Sequence, residues 1–329
     1  MIRVLKPGLL TTVQDLGRTG CQQYGIVVGG ALDAFAARVV NLIVGNDDNA
    51  AVLELAQTGP ELQFARDALI AWNGGDFDAT IGGQALPRDR AVRVAAGETV
   101  NFGVARSGLR AWVAIAGGID VPLVMGSRTT YRRAGIGGHQ GRPLIAGDEL
   151  KTFAPGERAL AMMASLKTAE KRATTWTVRP ETMGKQAPAG VVRAMRGPEW
   201  EWFSEDAQRD FFSAEWQTTK EADRMGVRLQ GPGLVLVKPR EMISAAVSTG
   251  VVQVPPSGHP IVLLPSRQSV GGYPRIAAVA GVDIGRFTQL RPGGKMRFDK
   301  ISLPVAQELW LARERDLGRV QLGLARMTG

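Results

Sequence analysis

The sequence predicts a mainly β protein with a few helices. Short apolar runs with partial alternation recur along the chain, and turns rich in Gly or Pro separate them. Periodicity of the helical kind is confined to a few segments. Many short strands joined by such turns are typical of a β-barrel or a β-sandwich.

The predicted strands occur in both halves of the chain. They span residues 68–72, 91–94, 99–102 and 109–116 in the first half, and 234–237, 250–254 and 260–264 in the second. The halves also echo each other, because the turn-and-strand segments 58–64 and 96–102 are answered by 230–236 and 292–298. Two diverged copies of one β unit explain this echo, and chance reuse of common turn residues is the alternative.

Helix signals mark three segments. Asp33 is the predicted N-cap of a helix over residues 34–44, and Gly45 is its predicted C-terminal cap. Ser204 is the predicted cap of a second, short helix. Residues 304–327 carry apolar side chains near helical spacing with Arg and Glu between them, which predicts an amphipathic helix that lies on a barrel.

Length and composition narrow the class of protein. A length of 329 residues indicates about two domains. No apolar run approaches the roughly 18 residues that span a bilayer, and the first residues lack the layout of a signal peptide. Cys21 is the only cysteine, so no internal disulfide can form, which fits a reducing compartment. These features predict a cytoplasmic protein without membrane contact.

The sequence argues against three kinds of site. The formal charge is +9, from 40 Lys and Arg against 31 Asp and Glu, but the basic residues are scattered. No alternation of aromatic and basic residues marks a nucleic-acid site, so arginines that bind small anions are the favoured interpretation. His139 and His259 lack partners at ligand spacing, so no metal site is predicted. No phosphate-binding loop of the Walker type occurs.

Polar, glycine-containing loops are the main functional signal. Glycine lets backbone N–H groups approach a ligand closely, and Arg, Asp or Gln beside it can hold that ligand. Four loops have this composition, at residues 11–18, 30–33, 116–128 and 268–275. In a chain with two histidines, they favour a pocket for a small polar molecule over a metal or histidine-based site.

Seven motifs follow one another along residues 2–300. They are Thr-Thr-Val-Gln-Asp-Leu-Gly-Arg at 11–18, Gly-Ala-Leu-Asp at 30–33, Leu-Ile-Val-Gly-Asn at 42–46, Ala-Gly-Gly-Ile-Asp-Val-Pro at 116–122, Arg-Met-Gly-Val-Arg-Leu at 224–229, Val-Gln-Val-Pro at 252–255 and Gly-Gly-Tyr-Pro at 271–274. In this order they resemble the family of the 5-oxoprolinase C subunit, also described as allophanate hydrolase subunit 2 or the biotin-dependent carboxyltransferase family.

The resemblance implies two cyclophilin-like β-barrel units. We therefore predict a first barrel unit at residues 1–154, and a second unit with the C-terminal helix at residues 189–329. Residues 155–188 are rich in Ala, Lys, Thr and Glu and form the predicted linker.

The resemblance also implies a hydrolase subunit. It implies part of an ATP-dependent 5-oxoprolinase, which opens 5-oxoproline to glutamate after ATP phosphorylates the amide oxygen. The implied partners are a subunit-B-like sister protein and a LamB-type amidohydrolase subunit. Because this chain lacks a nucleotide motif, we expect ATP to bind a partner subunit of the assembled complex. No covalently bound cofactor is expected.

Two alternatives stay open. One is the carboxyltransferase subunit of a urea carboxylase or allophanate-type system, which receives carboxybiotin presented by another domain. This chain cannot carry biotin by the usual motif, because Ala194-Met195-Arg196 has Arg where carriers have Lys. The other is a regulatory protein that binds its sister subunit, as relatives that antagonise a kinase inhibitor do.

The candidate site residues are assigned by their chemistry and by their place in these motifs. Paired glycines offer N–H donors to an oxyanion, Gln and Tyr orient an amide, Arg holds a carboxylate, and Asp serves as a base. A helix cap is the alternative role for Asp33, and hydrogen bonds to loop carbonyls are the alternative for Arg224. The predicted catalytic residues are Gln268, Arg224 and Asp15, and the predicted substrate-binding residues are Gly271, Gly272, Tyr273, Arg18, Asp33, Arg128 and Gln253.

One segment departs from the family pattern. Members of the family carry Asp-x-Gln-Thr-Thr before Gly-Gly-Tyr-Pro, whereas this chain has Ser266-Arg267-Gln268-Ser269-Val270. The loop therefore lacks a carboxylate, and Arg267 loses an acidic neighbour. We expect either another base in the site or a different function.

Overall fold

A computed structural model describes residues 1–326, so the last residue of the predicted C-terminal helix, Met327, lies outside the described residues. The chain divides into two compact units. Unit 1 consists of Met1–Arg18, Gly29–Thr182 and the described residues from Asp316 onward. Unit 2 consists of Thr19–Val28 and Met183–Arg315.

The strands of unit 1 form two sheets. The strands are β1 (Ile2–Lys6), β2 (Leu10–Gln14), β3 (Val52–Ala56), β4 (Glu61–Phe64), β5 (Ala68–Phe77), β6 (Thr80–Ile81), β7 (Gln84–Ala85), β8 (Val92–Val94), β9 (Thr99–Asn101), β10 (Ala105–Ile115), β11 (Ile119–Asp120) and β12 (Glu149–Thr152). The larger sheet has the strand order β11-β12-β1-β4-β9-β6-β7, and the smaller has the order β2-β3-β10-β5-β8. Two helices belong to this unit. Helix α1 (Ala34–Val44) contacts β5 and β10, and helix α2 (Glu157–Thr168) contacts β5 and β8.

Unit 2 contains a closed barrel. The strands of this unit are β13 (Val191–Arg196), β14 (Trp216–Thr218), β15 (Gly226–Gln230), β16 (Ala245–Ala246), β17 (Val251–Gln253), β18 (Ile261–Leu263), β19 (Val270–Gly271), β20 (Arg275–Val279) and β21 (Lys295–Lys300). The barrel has the strand order β13-β20-β17-β18-β15-β14-β21, and β16 pairs separately with β19. The barrel closes through a parallel pair, β13 with β21, and its other pairs are antiparallel. The helices are α3 (Glu205–Ser213), α4 (Ile284–Thr288) and α5 (Leu303–Arg326), and α5 continues into residues of unit 1.

The predicted mainly β class is confirmed. A closed barrel is present in unit 2, whereas the strands of unit 1 are ordered as two sheets where the resemblance implied a barrel. The part of the chain that the structure describes contains no helix that is both long and apolar enough to cross a membrane.

The three predicted helix caps, two N-caps and one C-cap, are confirmed. The carboxylate of Asp33 accepts a hydrogen bond from the Ala36 N–H at 3.0 Å, and α1 ends at Gly45, whose φ of +81° is the left-handed conformation that glycine adopts easily. Ser204 Oγ accepts from the Ala207 N–H at 3.2 Å at the start of α3. Each of the two N-caps satisfies a backbone donor that the first helical turn leaves unpaired.

The strand predicted at residues 234–237 is wrong. Ser204 N–H donates to the Val235 carbonyl at 3.0 Å, and Val237 N–H donates to the Trp202 carbonyl at 2.9 Å. This apolar run therefore pairs with the turn before α3 and does not join a sheet ladder. The echo between the halves fails at the same place, because residues 230–236 do not supply a strand that matches β4.

The stretch predicted as a linker contains α2. Arg172 forms two hydrogen bonds with the Glu98 carboxylate, at 2.8 and 2.9 Å, and its carbonyl accepts from Arg93 N–H at 2.7 Å. Residues 155–182 are therefore part of unit 1, and the chain changes unit between Thr182 and Met183.

Asp89 in unit 1 is a buried carboxyl, and it makes stability depend on pH. Only 3% of the residue is exposed, and burial raises the pKa of Asp89 from its ordinary 3.8 to about 6, although the neighbouring Arg88 opposes the shift. A folded-state pKa above the unfolded value means that the folded protein binds more protons between these pH values. Stability contributed by this group is therefore present below about pH 4 and is lost as pH rises through about 6.

We expect Asp89→Asn to remove this dependence. Asparagine tolerates the φ of +61° at this position, because it enters the left-handed region more readily than most residues. The difference in free energy of unfolding between variant and parent should grow in favour of the variant by about 2 kcal/mol from pH 4 to pH 8. Urea denaturation at both pH values measures it, and a difference that is constant with pH contradicts the prediction.

Candidate functional site

A cleft in unit 2 brings together three of the predicted site residues. It has a volume of about 270 Å³, and its walls come from β15, β17, β18, the loop before β15 and the loop that contains the glycine pair. Its lining residues are Glu221, Asp223, Met225, Gly226, Arg228, Gln253, Ile261, Leu263, Gln268 and Tyr273. Gln253, Gln268 and Tyr273 were predicted from the sequence, and the charged residues Glu221, Asp223 and Arg228 were not.

Gln253 lies at the end of β17 and is 1% exposed. Its Nε2 donates to the Tyr273 carbonyl at 3.2 Å, which connects the barrel wall to the glycine loop. Gly271 lies against this amide. A Cβ at Gly271 would overlap Gln253 Nε2 and lie 3.0 Å from Oε1, so a side chain at position 271 must displace Gln253.

The two predicted glycines have different surroundings. Gly271 belongs to β19 and pairs with Ala245 of β16, so its backbone is part of a ladder. A Cβ at Gly272 would lie 3.3 Å from Ser244 Oγ and 3.4 Å from the Met242 carbonyl, so the fit there is less strict. The role of their N–H groups as oxyanion donors stays a prediction.

The side chains of Gln268 and Tyr273 are available at the cleft. Gln268 is exposed, and Tyr273 is 44% exposed. The backbone on either side of the loop is fixed, because Val254 N–H donates to the Pro274 carbonyl at 2.9 Å and Val247 N–H donates to the Ser269 carbonyl at 3.1 Å. The loop therefore presents two polar side chains from an anchored backbone.

Two carboxylates line the cleft, and the sequence reasoning missed both. Asp223 Oδ1 accepts from Met225 N–H at 2.7 Å and from Gly226 N–H at 3.1 Å. Glu221 Oε2 lies 3.0 Å from Arg228 Nε. The signal that was present is their position directly before the motif at 224–229, which places them in the turn that leads into β15.

Arg224 itself is half-buried and is not among the residues that line the cleft. Its carbonyl accepts from Ser266 N–H at 3.0 Å, and the next carbonyl, that of Met225, accepts from Leu264 N–H at 2.8 Å. The catalytic role assigned to Arg224 stays a prediction. These hydrogen bonds place Ser266, the position that departs from the family pattern, directly beside the turn that carries Asp223.

Arg267 is directed into the protein. It is 7% exposed, and its guanidinium donates to the Val247 carbonyl at 3.1 and 3.2 Å and to Thr249 Oγ1 at 3.1 Å. Burial lowers the pKa of Arg267 from its ordinary value. The charge of this arginine is therefore met by neutral acceptors.

Four predicted site residues belong to unit 1, where two of them form a buried loop cluster. Asp15 is 2% exposed, and its carboxylate accepts from Gly17 N–H, Ser127 Oγ and Arg128 N–H at 2.6 to 2.8 Å. Arg18 is fully buried and donates to the carbonyls of Val124 and Thr129 at 2.7 and 3.2 Å. Both side chains hold loops of unit 1 together.

The other two make comparable local contacts. Arg128 Nε donates to the Val121 carbonyl at 3.1 Å, and its guanidinium lies over the Phe153 ring at 5.0 Å from the centroid. The carboxylate of Asp33 caps α1. The ligand-binding roles of Arg18, Asp33 and Arg128, and the catalytic role of Asp15, stay predictions. Among residues 1–326, no group of three or more His, Cys, Asp or Glu side chains could hold a metal ion.

Sequence comparison gives matches along nearly the whole chain. Residues 24–300 match a family model described as carboxyltransferase domain, subdomain A and B. The chain is 37% identical over 306 residues to the C subunit of 5-oxoprolinase from Escherichia coli K12, which covers 93% of each chain. It is 34% identical to the Haemophilus influenzae protein of the same name, over 98% of each. It is 30% identical to urea amidolyase of Saccharomyces cerevisiae, over 94% of this chain and 17% of that protein.

Structural comparison finds the same fold in larger proteins. The crystal structure of Kluyveromyces lactis urea carboxylase matches 95% of this chain with a TM-score of 0.85 and 26% identity, over 28% of its own length. Urea amidolyase of K. lactis matches 95% of this chain with a TM-score of 0.83 and 27% identity, over 19% of its length. The chain thus spans less than a third of either structure.

Proposed function

This chain belongs to the carboxyltransferase domain family, subdomains A and B, and on that premise we propose that it is a subunit of an ATP-dependent 5-oxoprolinase. The assembled enzyme would open the lactam ring of 5-oxoproline to give glutamate. Two relatives that are named as C subunits of 5-oxoprolinase, and that match over nearly their whole length, support this choice. The observation that carries it is the unit 2 cleft, which is lined by two amide side chains, a phenol and two carboxylates.

The cleft suits a small amide. A lactam presents one carbonyl acceptor and one N–H donor, and the side-chain amide of Gln268 offers the complementary donor and acceptor. The hydroxyl of Tyr273 can act as a hydrogen-bond donor or as an acceptor. Gln253 acts as a positioning residue, because its buried amide holds the Tyr273 carbonyl and so fixes the loop.

We assign the role of general base to Asp223. Two backbone N–H groups hold its Oδ1, and in the described part of the chain Oδ2 has no hydrogen-bond partner, so Oδ2 can accept a proton from water in the cleft. As the water oxygen bonds to the lactam carbon, its proton passes to Asp223. The ring C–N bond then breaks, its electron pair stays on nitrogen, and the nitrogen takes the proton from Asp223 to become the amine of glutamate. Asp223 would thereby supply the carboxylate that position 266 lacks.

ATP is assigned to a partner subunit. When bound, ATP would supply a phosphoryl group that activates the lactam carbonyl carbon toward water, and this group would be released as inorganic phosphate after the ring has opened. The cleft has two carboxylates against one guanidinium, which does not fit a triphosphate. We accordingly propose a cytoplasmic complex with a subunit-B-like protein and a LamB-type amidohydrolase, and no cofactor bound covalently to this chain.

The proposal is tested by reconstitution. We expect the purified chain to show no ATP hydrolysis dependent on 5-oxoproline, and the complex co-expressed with both partner subunits to show it. Size-exclusion chromatography first establishes that the chain elutes with the subunit-B-like protein at micromolar concentration. Turnover by the chain alone, or a reconstituted complex that ignores 5-oxoproline, would overturn the proposal.

A carboxyltransferase function is the second candidate, because the solved neighbours that match 95% of this chain are named urea carboxylase and urea amidolyase. In that case the cleft would bind urea and receive a carboxyl group from carboxybiotin presented by another domain. Urea in the same assays, with bicarbonate and a biotin carboxylase, separates the two. A stable complex that turns over neither substrate would instead indicate the regulatory protein.

A further inference from the structure

A second cleft adjoins the first, and one ion pair lies where they meet. The second cleft has a volume of about 230 Å³ and is lined by polar side chains that include Gln230, Ser257 and His259. Glu221 and Arg228 line both clefts. Any ligand that fills the first cleft therefore reaches this pair.

The Glu221–Arg228 pair is weak. The side chains are 73% and 52% exposed, and Glu221 Oε2 lies 3.0 Å from Arg228 Nε. Within residues 1–326, neither Nη of Arg228 donates a hydrogen bond. Exposed pairs of this kind contribute little to stability, so an incoming carboxylate can replace Glu221 at little cost. A free carboxylate could also engage both Nε and Nη, which a guanidinium favours.

The two partners differ in how firmly the fold holds them. Arg228 is in the middle of β15, where it pairs with Ile261 of β18, so its backbone is fixed in the barrel wall. Glu221 lies in the connection between β14 and β15, and its N–H donates to Thr219 Oγ1 at 3.3 Å. The backbone of Arg228 is thus fixed, whereas Glu221 is on a loop. This is the arrangement expected if Glu221 is a counter-ion that a ligand can replace.

We infer that Arg228 binds a carboxylate of the substrate and that Glu221 occupies this position when the cleft is empty. The inference rests on the proposed function for the amide part of the substrate and narrows its class. The preferred substrate is then a small amide that carries a carboxylate, as 5-oxoproline does and urea does not. Glu221 acts as an internal competitor for the same guanidinium.

Binding to the purified chain tests this, with 5-oxoproline, 2-pyrrolidinone and acetate as probes in ligand-observed NMR titrations. We expect 5-oxoproline to bind more tightly than 2-pyrrolidinone. Arg228→Met should weaken 5-oxoproline about tenfold to a hundredfold and leave 2-pyrrolidinone unchanged. Glu221→Gln should strengthen 5-oxoproline and acetate about twofold to fivefold. The double variant should bind 5-oxoproline no better than Arg228→Met alone.

The matched control is Glu215→Gln, which removes the acid of another exposed pair, Lys295 with Glu215, outside both clefts. It should leave all three affinities unchanged. Equal binding of 5-oxoproline and 2-pyrrolidinone overturns the inference but leaves the proposed amide substrate in place. No binding of either carboxylate probe, 5-oxoproline or acetate, also overturns the inference. Acetate binding that depends on Arg228 and rises with Glu221→Gln, without lactam binding, supports the anion site and contradicts the proposed amide substrate.

Discussion

Gly271→Ala is expected to lower turnover of the assembled complex about 100-fold per folded molecule. A methyl group at position 271 meets the amide of Gln253, which is almost fully buried and cannot move into solvent. The amide must then leave the Tyr273 carbonyl, and the loop that presents Gln268 and Tyr273 shifts with it. An error of about 1 Å in such a position is enough for a loss of this size.

The neighbouring glycine is the matched control for that variant. Gly272→Ala places its methyl group at 3.3 Å or more from other atoms, so its effect on turnover should be several-fold smaller. In a Gln253→Ala background, Gly271→Ala should add little, because the side chain it displaces is gone. Turnover and melting temperature are measured on the same preparations. A Gly271→Ala protein that loses stability but keeps its turnover would show that this contact is structural only.

Asp283→Ala is expected to lower the free energy of unfolding by about 4 kcal/mol. Asp283 is fully buried, and its carboxylate accepts from the backbone N–H, Nε and Nη2 of Arg193 at 2.7 to 2.8 Å. Removing the acid leaves a guanidinium that is 8% exposed without its counter-ion. A buried charge that loses its partner typically costs about 3 to 5 kcal/mol.

Urea denaturation followed by tryptophan fluorescence measures this loss. Glu215→Ala removes the acid of the exposed pair with Lys295 and should change stability by about 0.5 kcal/mol or less. Replacing both partners, as Arg193→Met with Asp283→Ala, should recover part of the loss, because no buried charge is then left unpaired. A single variant that costs no more than the exposed control contradicts the prediction.

Sequence reasoning succeeded where the deciding interaction is local. A cap requires one side chain and a backbone N–H three residues away, so Asp33 and Ser204 could be identified from the chain alone. The run at 234–237 has the composition of a strand, but its partner is the turn at 202–204, which no periodicity reveals. The class of fold followed from many such local signals, and the errors came from long-range pairing.

The candidate site was predictable only in part, for the same reason. The loop with Gln268 and Tyr273 has an informative composition, and it does line the cleft. Asp223 and Arg228 join it because β15 pairs with β18, a contact between segments more than 30 residues apart. Motif resemblance also assigned Asp15 and Arg18 to the site, which stays a prediction; their side chains make hydrogen bonds within unit 1. A motif indicates that residues matter without indicating which neighbours they have.

The division of the chain between the two units has a consequence for biosynthesis. The polypeptide leaves unit 1 after Arg18, returns at Gly29, leaves again after Thr182 and returns at Asp316. Leu317 and Leu324, in the second half of α5, are 3% and 5% exposed. During translation every residue of unit 2 is therefore made before unit 1 receives its last segment. Unit 1 begins first and is completed last, so a ribosome that stops after residue 315 releases a chain with all of unit 2 and an unfinished unit 1.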